Sequence, residues 1–258
     1  MMNKEVKMAR VVKKSSKLYD EYKKTRTLAI LSVVLVGVFF VSFGVSGIVN
    51  VATFGALRFL PFVFSILFLA SGIGAKYFGE KANALKAGVE GEITTAMIVE
   101  ELPDDYVVYQ NIEVTYNGKA SELDAVVVGP TGVFIIETKN HNGKIAGSYD
   151  DPQWVQHKVG RQGTPYSKNF YSPVKQVGTH VYRLANFLRG NGCNVYVNGI
   201  VYFANPAAEV YIGGAEGNTP VYSALNGGAT RLRERILGCG DRVYAQDIHR
   251  INDLLGRI

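Results

Sequence analysis

The sequence predicts an α/β domain preceded by two membrane-spanning helices. Two long apolar runs without a polar face lie early in the chain, at residues 27–49 and 59–75. Beyond them, helical and strand-like segments follow one another in the order α-β-β-β-α-β over residues 80–204. Several of the strand segments are apolar at consecutive positions, as is typical of a sheet covered on both faces. The 258 residues therefore divide into a membrane part and one compact domain.

The apolar runs are each near the length that crosses a membrane. The first has 23 residues without a charge and the second has 17, and Arg58 is the one charge between them. About 30 Å of hydrocarbon needs about 20 helical residues. The first run is longer than a signal-peptide core and lacks a small-residue cleavage site, which argues against removal. Buried helices of a soluble domain are the alternative, but they would carry a polar face. We predict a transmembrane hairpin over 27–75.

The charges beside the runs predict its orientation. Residues 1–26 carry nine Lys or Arg and three acids, and Lys76, Lys81 and Lys86 follow the second run. Positive flanks remain in the cytoplasm, so we expect a multi-pass protein of the cell membrane with both termini and the domain on that side. This basic arm holds the entire net charge of +6. Residues 27–258 therefore sum to zero, and the high pI does not predict nucleic-acid binding.

The domain elements follow from periodicity and turn signals. We predict helices at 80–102 and 172–189, and strands at 106–116, 122–128, 133–139 and 195–204. Both faces of the central hairpin are apolar, with Val126, Val128, Val133 and Ile135 on one face and Leu123, Ala125, Val127, Phe134 and Ile136 on the other. A C-terminal extension of the same domain, 205–258, adds a short strand at 221–223 and helices at 229–237 and 245–256.

The central hairpin places charged residues opposite one another. The run 129–132, Gly-Pro-Thr-Gly, has the preferences of a type I turn. A ladder symmetric about Pro130 and Thr131 pairs residues whose numbers sum to 261, so Asp124 lies opposite Glu137. Period-2 alternation adds Lys139 to the same face. A one-residue bulge at Gly132 would break this register.

Two facing carboxylates in a half-buried sheet repel unless one is protonated or a cation lies between them. Mg²⁺ or Mn²⁺ suits this site, because such ions take one or two carboxylates and complete their shell with water and phosphate oxygens. Lys139 is then placed to orient the attacking water or to neutralise charge in the transition state. The alternative is a structural ion pair between Asp124 and Lys139 on an exposed face, since the short D-x(12)-E-x-K pattern also arises by chance.

Further motifs occur in order around this triplet. They are Gly88-Val-Glu-Gly91-Glu92, Leu123-Asp124, Gly132 to Asn140, Gly143-Lys-Ile-Ala-Gly147, the lone Trp154, and Pro173-Val-Lys-Gln176. Over residues 88–189 the sequence resembles the nuclease-related domain (NERD) family of the restriction-endonuclease-like superfamily. The resemblance implies a restriction-endonuclease-like αβββαβ core with a central mixed sheet. It also implies that Asp124, Glu137 and Lys139 are catalytic, with Glu92 and Gln176 contributing from two helices.

The accessory residues have simpler explanations that stay open. Glu92 fits a solvated helix face, the glycines at 88 and 91 fit close packing, and Gln176 fits a backbone cap. Trp154 fits a packing anchor beneath the loop after Lys139. Three histidines, His141, His157 and His180, are spaced too widely for a zinc site and are interpreted as surface or phosphate-facing residues.

A local basic patch with interleaved aromatic residues follows the triplet. Its candidate contacts to a phosphate backbone are Lys144, Lys158, Arg161, Lys168 and Lys175. A solvated face explains the same composition equally well.

We expect a membrane-anchored nuclease that cleaves DNA by direct water attack. Asp124, Glu137 and the carbonyl of Thr138 hold the metal, and Lys139 positions the water. Pairing of two copies, as in many restriction-like nucleases, is also expected. The alternatives are a catalytically silent module that binds nucleic acid or a protein partner at the membrane, and a scaffold for a larger membrane complex.

Overall fold

The computed structural model describes residues 8–13, 16–160, 163–215, 217–240 and 242–258. The chain forms two compact units. One contains Ser16–Val89, and the other contains Glu90–Ile258 together with the N-terminal segment. The helices are α1 (Lys17–Ala52), α2 (Leu60–Glu100), α3 (Pro173–Gly190), α4 (Gly228–Leu237) and α5 (Ala245–Arg257).

The first unit is an antiparallel helical hairpin. Helix α1 starts at the N-cap Ser16, whose hydroxyl accepts the N–H of Tyr19. Contacts between α1 and α2 include the Phe40 and Phe68 rings, 6.0 Å apart, and an ion pair of Glu21 with Lys81 at 2.8 Å. Both helices are long and apolar enough to cross a membrane, and their apolar windows are only 6% and 0% buried. The core helices of a soluble protein would be mostly buried.

The second unit is built on a six-stranded mixed sheet in the order β1-β2-β3-β4-β8-β10. Strands β2, β3 and β4 are antiparallel, whereas β1 pairs with β2, β4 with β8, and β8 with β10 in parallel. The strands are β1 (Arg10–Lys13), β2 (Val107–Tyr116), β3 (Lys119–Gly129), β4 (Gly132–Lys139), β8 (Val197–Phe203) and β10 (Val221–Ser223). The predicted mixed α/β fold is confirmed.

The predicted hairpin register is confirmed as well. Gly129 pairs with Gly132, Val128 with Val133, and the ladder continues in that register to Ala125 and Ile136. The connection is a two-residue loop, and no bulge displaces the strands in this stretch.

Two parts of the sheet structure were not predicted. Strand β1 comes from the basic N-terminal segment and lies at the edge of the main sheet. A second sheet, in the order β7-β6-β5-β9, is formed by β5 (Gly143–Ser148), β6 (Gln153–Val159), β7 (Pro165–Tyr171) and β9 (Ala208–Gly213). Its strands are short and largely polar, and β7 is exposed along most of its length. They therefore lack the apolar alternation that identifies a strand in sequence.

Two apolar clusters cover the faces of the main sheet. On one face, side chains of α3, α5 and the second sheet pack on β2, β3, β4 and β8. On the other face, the C-terminal turns of α2 and helix α4 pack on the same strands. Trp154 belongs to the first cluster and is fully buried, with its ring stacked 6.2 Å from that of Phe203. Its predicted role as a packing anchor is confirmed, although it lies in a strand rather than under a loop.

Gly91 sets the distance between α2 and the end of β4. A Cβ atom at this position would lie 2.8 Å from the Cβ of Asn140 and 3.3 Å from the Cγ2 of Thr138. Neither neighbour is the flexible end of a long side chain, so the helix would have to move away. The close-packing explanation for this glycine is confirmed, and the close packing brings Glu92, the next residue, towards β4.

We predict that Gly91→Ala destabilises the domain by about 1–3 kcal/mol, the usual cost of overpacking. Gly178→Ala in α3 is the matched control, because its Cβ would meet no atom within 4 Å. A helical Gly→Ala change at such a site is expected to be neutral or to stabilise by about 0.5–1 kcal/mol. Denaturant unfolding followed by fluorescence of Trp154, the single tryptophan, measures both. Equal stabilities for the two variants would contradict the packing argument.

Candidate active site

The candidate site lies where β3 and β4 separate. Their ladder ends at Ala125 and Ile136, but β4 continues along β8 to its last residue. The N–H of Thr138 therefore faces the gap, and it donates to Oδ2 of Asp124 at 2.8 Å. In the β2–β3 ladder, Gln110 pairs with Ala125 and Ile112 with Leu123, but the residues between them, Asn111 and Asp124, are not paired. Asn111 has a φ of +54°. The strand backbone is thus irregular at Asp124 itself.

This irregularity corrects one detail of the predicted alternation. The alternation predicts Leu123 on the same face as Ala125 and Val127. In the structure, Leu123 packs in the apolar cluster on the opposite face of the sheet. A regular pleat would keep residues 123 and 125 on one side. The irregular pairing at Asp124 is the physical reason for the change of face.

Glu137 and Lys139 form a buried ion pair. Nζ of Lys139 donates to Oε1 of Glu137 at 2.7 Å and to Oε1 of Gln176 at 2.9 Å. Glu137 is only 2% exposed. The alternative of an exposed Asp124–Lys139 ion pair is therefore wrong, because the lysine contacts the buried Glu137 instead. The backbone-cap explanation for Gln176 is also wrong, since its side chain accepts from Lys139.

Helix α2 contributes to the site from the other side. The hydroxyl of Thr138 donates to that of Thr95 at 2.9 Å, and Thr95 is buried. Glu92 is half-buried one turn earlier in α2, near enough for its charge to raise the pKa of Asp124. The close packing at Gly91 and the side-chain hydrogen bond at Thr95 thus hold the helix that carries Glu92. A fully solvated face does not describe this residue.

The two carboxylates have opposite electrostatic surroundings. Burial raises the pKa of Asp124 well above its ordinary value, and the charges of Glu137 and Glu92 raise it further. Burial works in the same direction on Glu137, but His180 and Lys139 outweigh it and lower the pKa of Glu137. Asp124 is therefore the carboxylate whose negative charge the surrounding protein compensates least.

The donor set fits a hydrated divalent cation. Among the described residues, no group of three or more His, Cys, Asp or Glu side chains is arranged to hold a metal. Mg²⁺ does not need such a cage, because it commonly binds through one or two carboxylates and keeps several waters. Asp124, whose charge the protein compensates least, would be one such ligand. The carbonyl of Thr138 lies on the same strand edge as its N–H, since both groups of a strand residue face the same neighbour.

His141 is held beside the site as a neutral imidazole. Its Nδ1 lies 3.1 Å from Oε1 of Gln156, whose Nε2 donates to the carbonyl of Asn142 at 2.7 Å. That donation fixes the amide, so the hydrogen lies on Nδ1 of the imidazole. The ring stacks on Phe170 with centroids 4.5 Å apart. Burial first, and then the nearby lysine charges, lower the pKa of His141 to about 4.

The structure divides the five candidate phosphate contacts. Lys158 and Lys168 share the face of the second sheet that carries Gln156, and both act with Lys139 to lower the pKa of His141. Lys144 pairs with His157 on the opposite face, and Lys175 is exposed on α3. Arg161 lies outside the described residues. Of the five candidates, Lys158 and Lys168 therefore lie near His141 and Lys139.

The interpretation of the histidines as surface groups is confirmed for His157 and wrong for His180. His157 is exposed and its Nδ1 lies 2.8 Å from the hydroxyl of Ser167. His180 is buried, with Nε2 3.3 Å from Oε2 of Glu137, so its placement on the surface is wrong. The spacing Gln176-x-x-x-His180 is the signal that would have found it, because residues four apart share one helix face.

A mixed sheet covered by helices, with Asp124, Glu137 and Lys139 at the end of its central hairpin, defines a nuclease-like α/β domain. Residues 87–204 match the family model of the nuclease-related domain. The chain is similar to an uncharacterized protein of Bacillus anthracis, at 29% identity over 117 residues. That match covers 45% of this chain and 55% of the relative, about half the length of each. No solved structure matches the chain.

We predict that His141 makes the domain less stable as the pH falls. The unfolded chain takes up a proton near pH 6.5, whereas folded His141 does so at about 4. His141 therefore leaves the free energy of unfolding unchanged above pH 6.5 and lowers it by about 3 kcal/mol towards pH 4. Denaturant midpoints read from Trp154 fluorescence between pH 7 and pH 4 measure this slope in the wild type and in His141→Gln, which should be flatter. His157→Gln, an exposed imidazole in the same sheet, is the control. Parallel pH curves for the wild type and His141→Gln would refute the assignment.

Proposed function

We propose that this protein is a membrane-anchored, metal-dependent nuclease that hydrolyses DNA phosphodiester bonds at the cytoplasmic face. The observation that supports it most directly is the placement of the half-buried Asp124 near the buried Glu137, with Lys139 bonded to Glu137 at the point where β3 and β4 separate. The match to the nuclease-related domain over residues 87–204 supports the same class of chemistry.

Each residue of the set has a distinct role in this proposal. Asp124 and Glu137 would hold Mg²⁺ or Mn²⁺, with the carbonyl of Thr138 as a further ligand. When bound, the ion supplies a water of lowered pKa and an electrostatic partner for the phosphate. Lys139 donates from Nζ to Oε1 of Gln176 at 2.9 Å, which fixes its position. It orients the attacking water and stabilises the developing negative charge. Glu92 would contribute from α2 as a further negative charge near Asp124.

The second sheet supplies the proposed contact with the phosphate backbone. Burial lowers the pKa of Lys158, and the nearby charge of Lys168 lowers it further. Like charges held together in this way are unfavourable until an anion lies between them. Tyr166, paired with Lys158 across the strands, adds an exposed aromatic ring. A phosphate chain crossing this face would reach Lys139 and His141.

The connections of the domain support the proposed topology. Strand β1 precedes the first apolar helix, and residues from Glu90 onwards follow the second, yet β1 pairs with β2 in one sheet. Two spans return the chain to the side on which it started, as this pairing requires. The basic flanks favour the cytoplasm as that side.

Labelling of a cysteine near either terminus by an external, impermeant reagent would contradict the proposal. Pairing of two copies stays a prediction.

We predict that the full chain in detergent cleaves DNA with Mg²⁺ or Mn²⁺ and is inactive in chelator. Lys139→Ala should lower the cleavage rate by at least about 10²–10³-fold, the usual effect of losing one electrostatic contact to a transition state. Asp124→Asn should do the same, because it removes the charge that binds the cation while keeping the acceptor for the N–H of Thr138. Plasmid, linear and single-stranded DNA as substrates also identify strand and end preference.

Lys144→Ala is the matched control for Lys139→Ala, because it removes the same charge from the opposite face of the second sheet. It should retain wild-type activity. Trp154 fluorescence establishes that each variant is folded. A folded Lys139→Ala variant with full activity, or cleavage that persists in chelator, would overturn the nuclease assignment.

The second candidate is a module that binds nucleic acid without cleaving it. One observation favours it: Lys139 is already satisfied by Glu137 and Gln176, so the ion pair is complete without a metal. Binding with no Mg²⁺ or Mn²⁺ dependence, together with absent cleavage, would establish this alternative.

We predict that the double variant Lys158→Ala/Lys168→Ala binds DNA more weakly at every sequence. The slope of log affinity against log salt concentration should become shallower by about 2, one unit for each lost phosphate contact. Lys119→Ala/Lys144→Ala is the control of equal charge change at exposed positions. Fluorescence anisotropy with labelled DNA across a salt series measures both. Identical slopes for the two double variants would show that Lys158 and Lys168 do not contact phosphate.

A further inference from the structure

Helix α3 presents two side chains to the Glu137–Lys139 ion pair. Gln176 and His180 are four residues apart and so project from one helix face. Gln176 contacts the lysine, and His180 contacts the carboxylate through Nε2, 3.3 Å from Oε2. One helix therefore holds both members of the pair from the same side.

The position of α3 is itself fixed at both ends of this contact. Ser172, fully buried, caps the helix by accepting the N–H of Lys175, and its own N–H donates to the carbonyl of Pro152. Val177 and Leu184, which flank His180 along the helix, are buried in the core. The imidazole is thus placed by the packing of the whole helix rather than by a mobile loop.

Glu137 and His180 depend on each other for a polar partner. The 3.3 Å separation is longer than a well-formed hydrogen bond. Among the described residues, Oε2 of Glu137 and both ring nitrogens of His180 are buried without any closer hydrogen-bond partner. Buried polar atoms without partners are costly, so native proteins rarely leave them so. Within the part of the chain that the structure describes, the polar group nearest to Oε2 that has no other partner is the imidazole.

We infer that His180 is a positioning residue of the candidate metal site, a role that rests on the proposed function. By holding Oε2, it fixes the plane of the Glu137 carboxylate with Oε1 towards Lys139 and the metal position. Outer partners of this kind orient metal-binding carboxylates, and their loss typically lowers metal affinity or activity 10–100-fold. His180 itself contacts neither the metal nor the DNA.

Full-length protein in detergent tests this role. His180→Leu keeps similar volume and removes the donor, whereas His180→Gln keeps an N–H that can reach Oε2. His249→Leu, at an imidazole that is 82% exposed, is the control. Calorimetric titration with Mn²⁺ and steady-state DNA cleavage are the two measurements. We expect His180→Leu to weaken Mn²⁺ binding or kcat by about 10–100-fold while KM for DNA stays within about twofold. His180→Gln should recover most of the loss.

Each outcome decides the inference. Wild-type Mn²⁺ affinity and activity in folded His180→Leu would overturn the inference and leave the nuclease proposal standing. Mn²⁺ binding weakened by His180→Leu, in a protein that cleaves no DNA, would support the positioning role while the nuclease proposal fails. No Mn²⁺ binding by the wild type would overturn both. If His180→Leu does not fold, comparison of His180→Gln with the shorter His180→Asn decides, and equal metal affinity of these two would overturn the role.

Discussion

The site depends on one electrostatic constraint, which is that the half-buried carboxylate of Asp124 and the buried carboxylate of Glu137 act on each other at the end of a β-hairpin. Glu137 is stabilised in its charged form by Lys139 and His180. Asp124 has the N–H of Thr138 as its donor, but burial and the neighbouring acids disfavour its charge. A cation at Asp124 would relieve this imbalance.

The rest of the domain holds this pair in place. Separation of β3 from β4 opens the gap that Asp124 fills, while β8 continues to support β4. Helix α2 approaches β4 closely because Gly91 has no side chain, and the Thr95–Thr138 hydrogen bond fixes its position. Helix α3 contacts the ion pair from the opposite flank. Glu137, Lys139, Gln176 and Glu92 thus stand on regular elements of the domain, whereas Asp124 lies at the irregular point of β3.

Sequence reasoning reached the hairpin and its carboxylates because a two-residue turn fixes every pair that follows it. The residues that contact the two carboxylates from other elements were harder to predict from the sequence. His180 was missed because it lies 43 residues from Glu137 in the chain, and only the packing of α3 brings them together. The second sheet escaped prediction because its strands are polar and short. Strand β1 was hidden in a basic segment whose charges indicated membrane topology, although Val11 and Val12 carry the strand-forming preference.

The central claim is that Asp124 and Glu137 together bind a divalent cation. Anomalous X-ray scattering at the manganese edge, from crystals of the full chain grown with Mn²⁺, tests it most directly. We predict a peak at about 2.0–2.3 Å from a carboxylate oxygen of each residue, the range of oxygen ligation by small divalent ions. No manganese at this position in crystals saturated with Mn²⁺, with Lys139 still bonded to Glu137, would contradict the account.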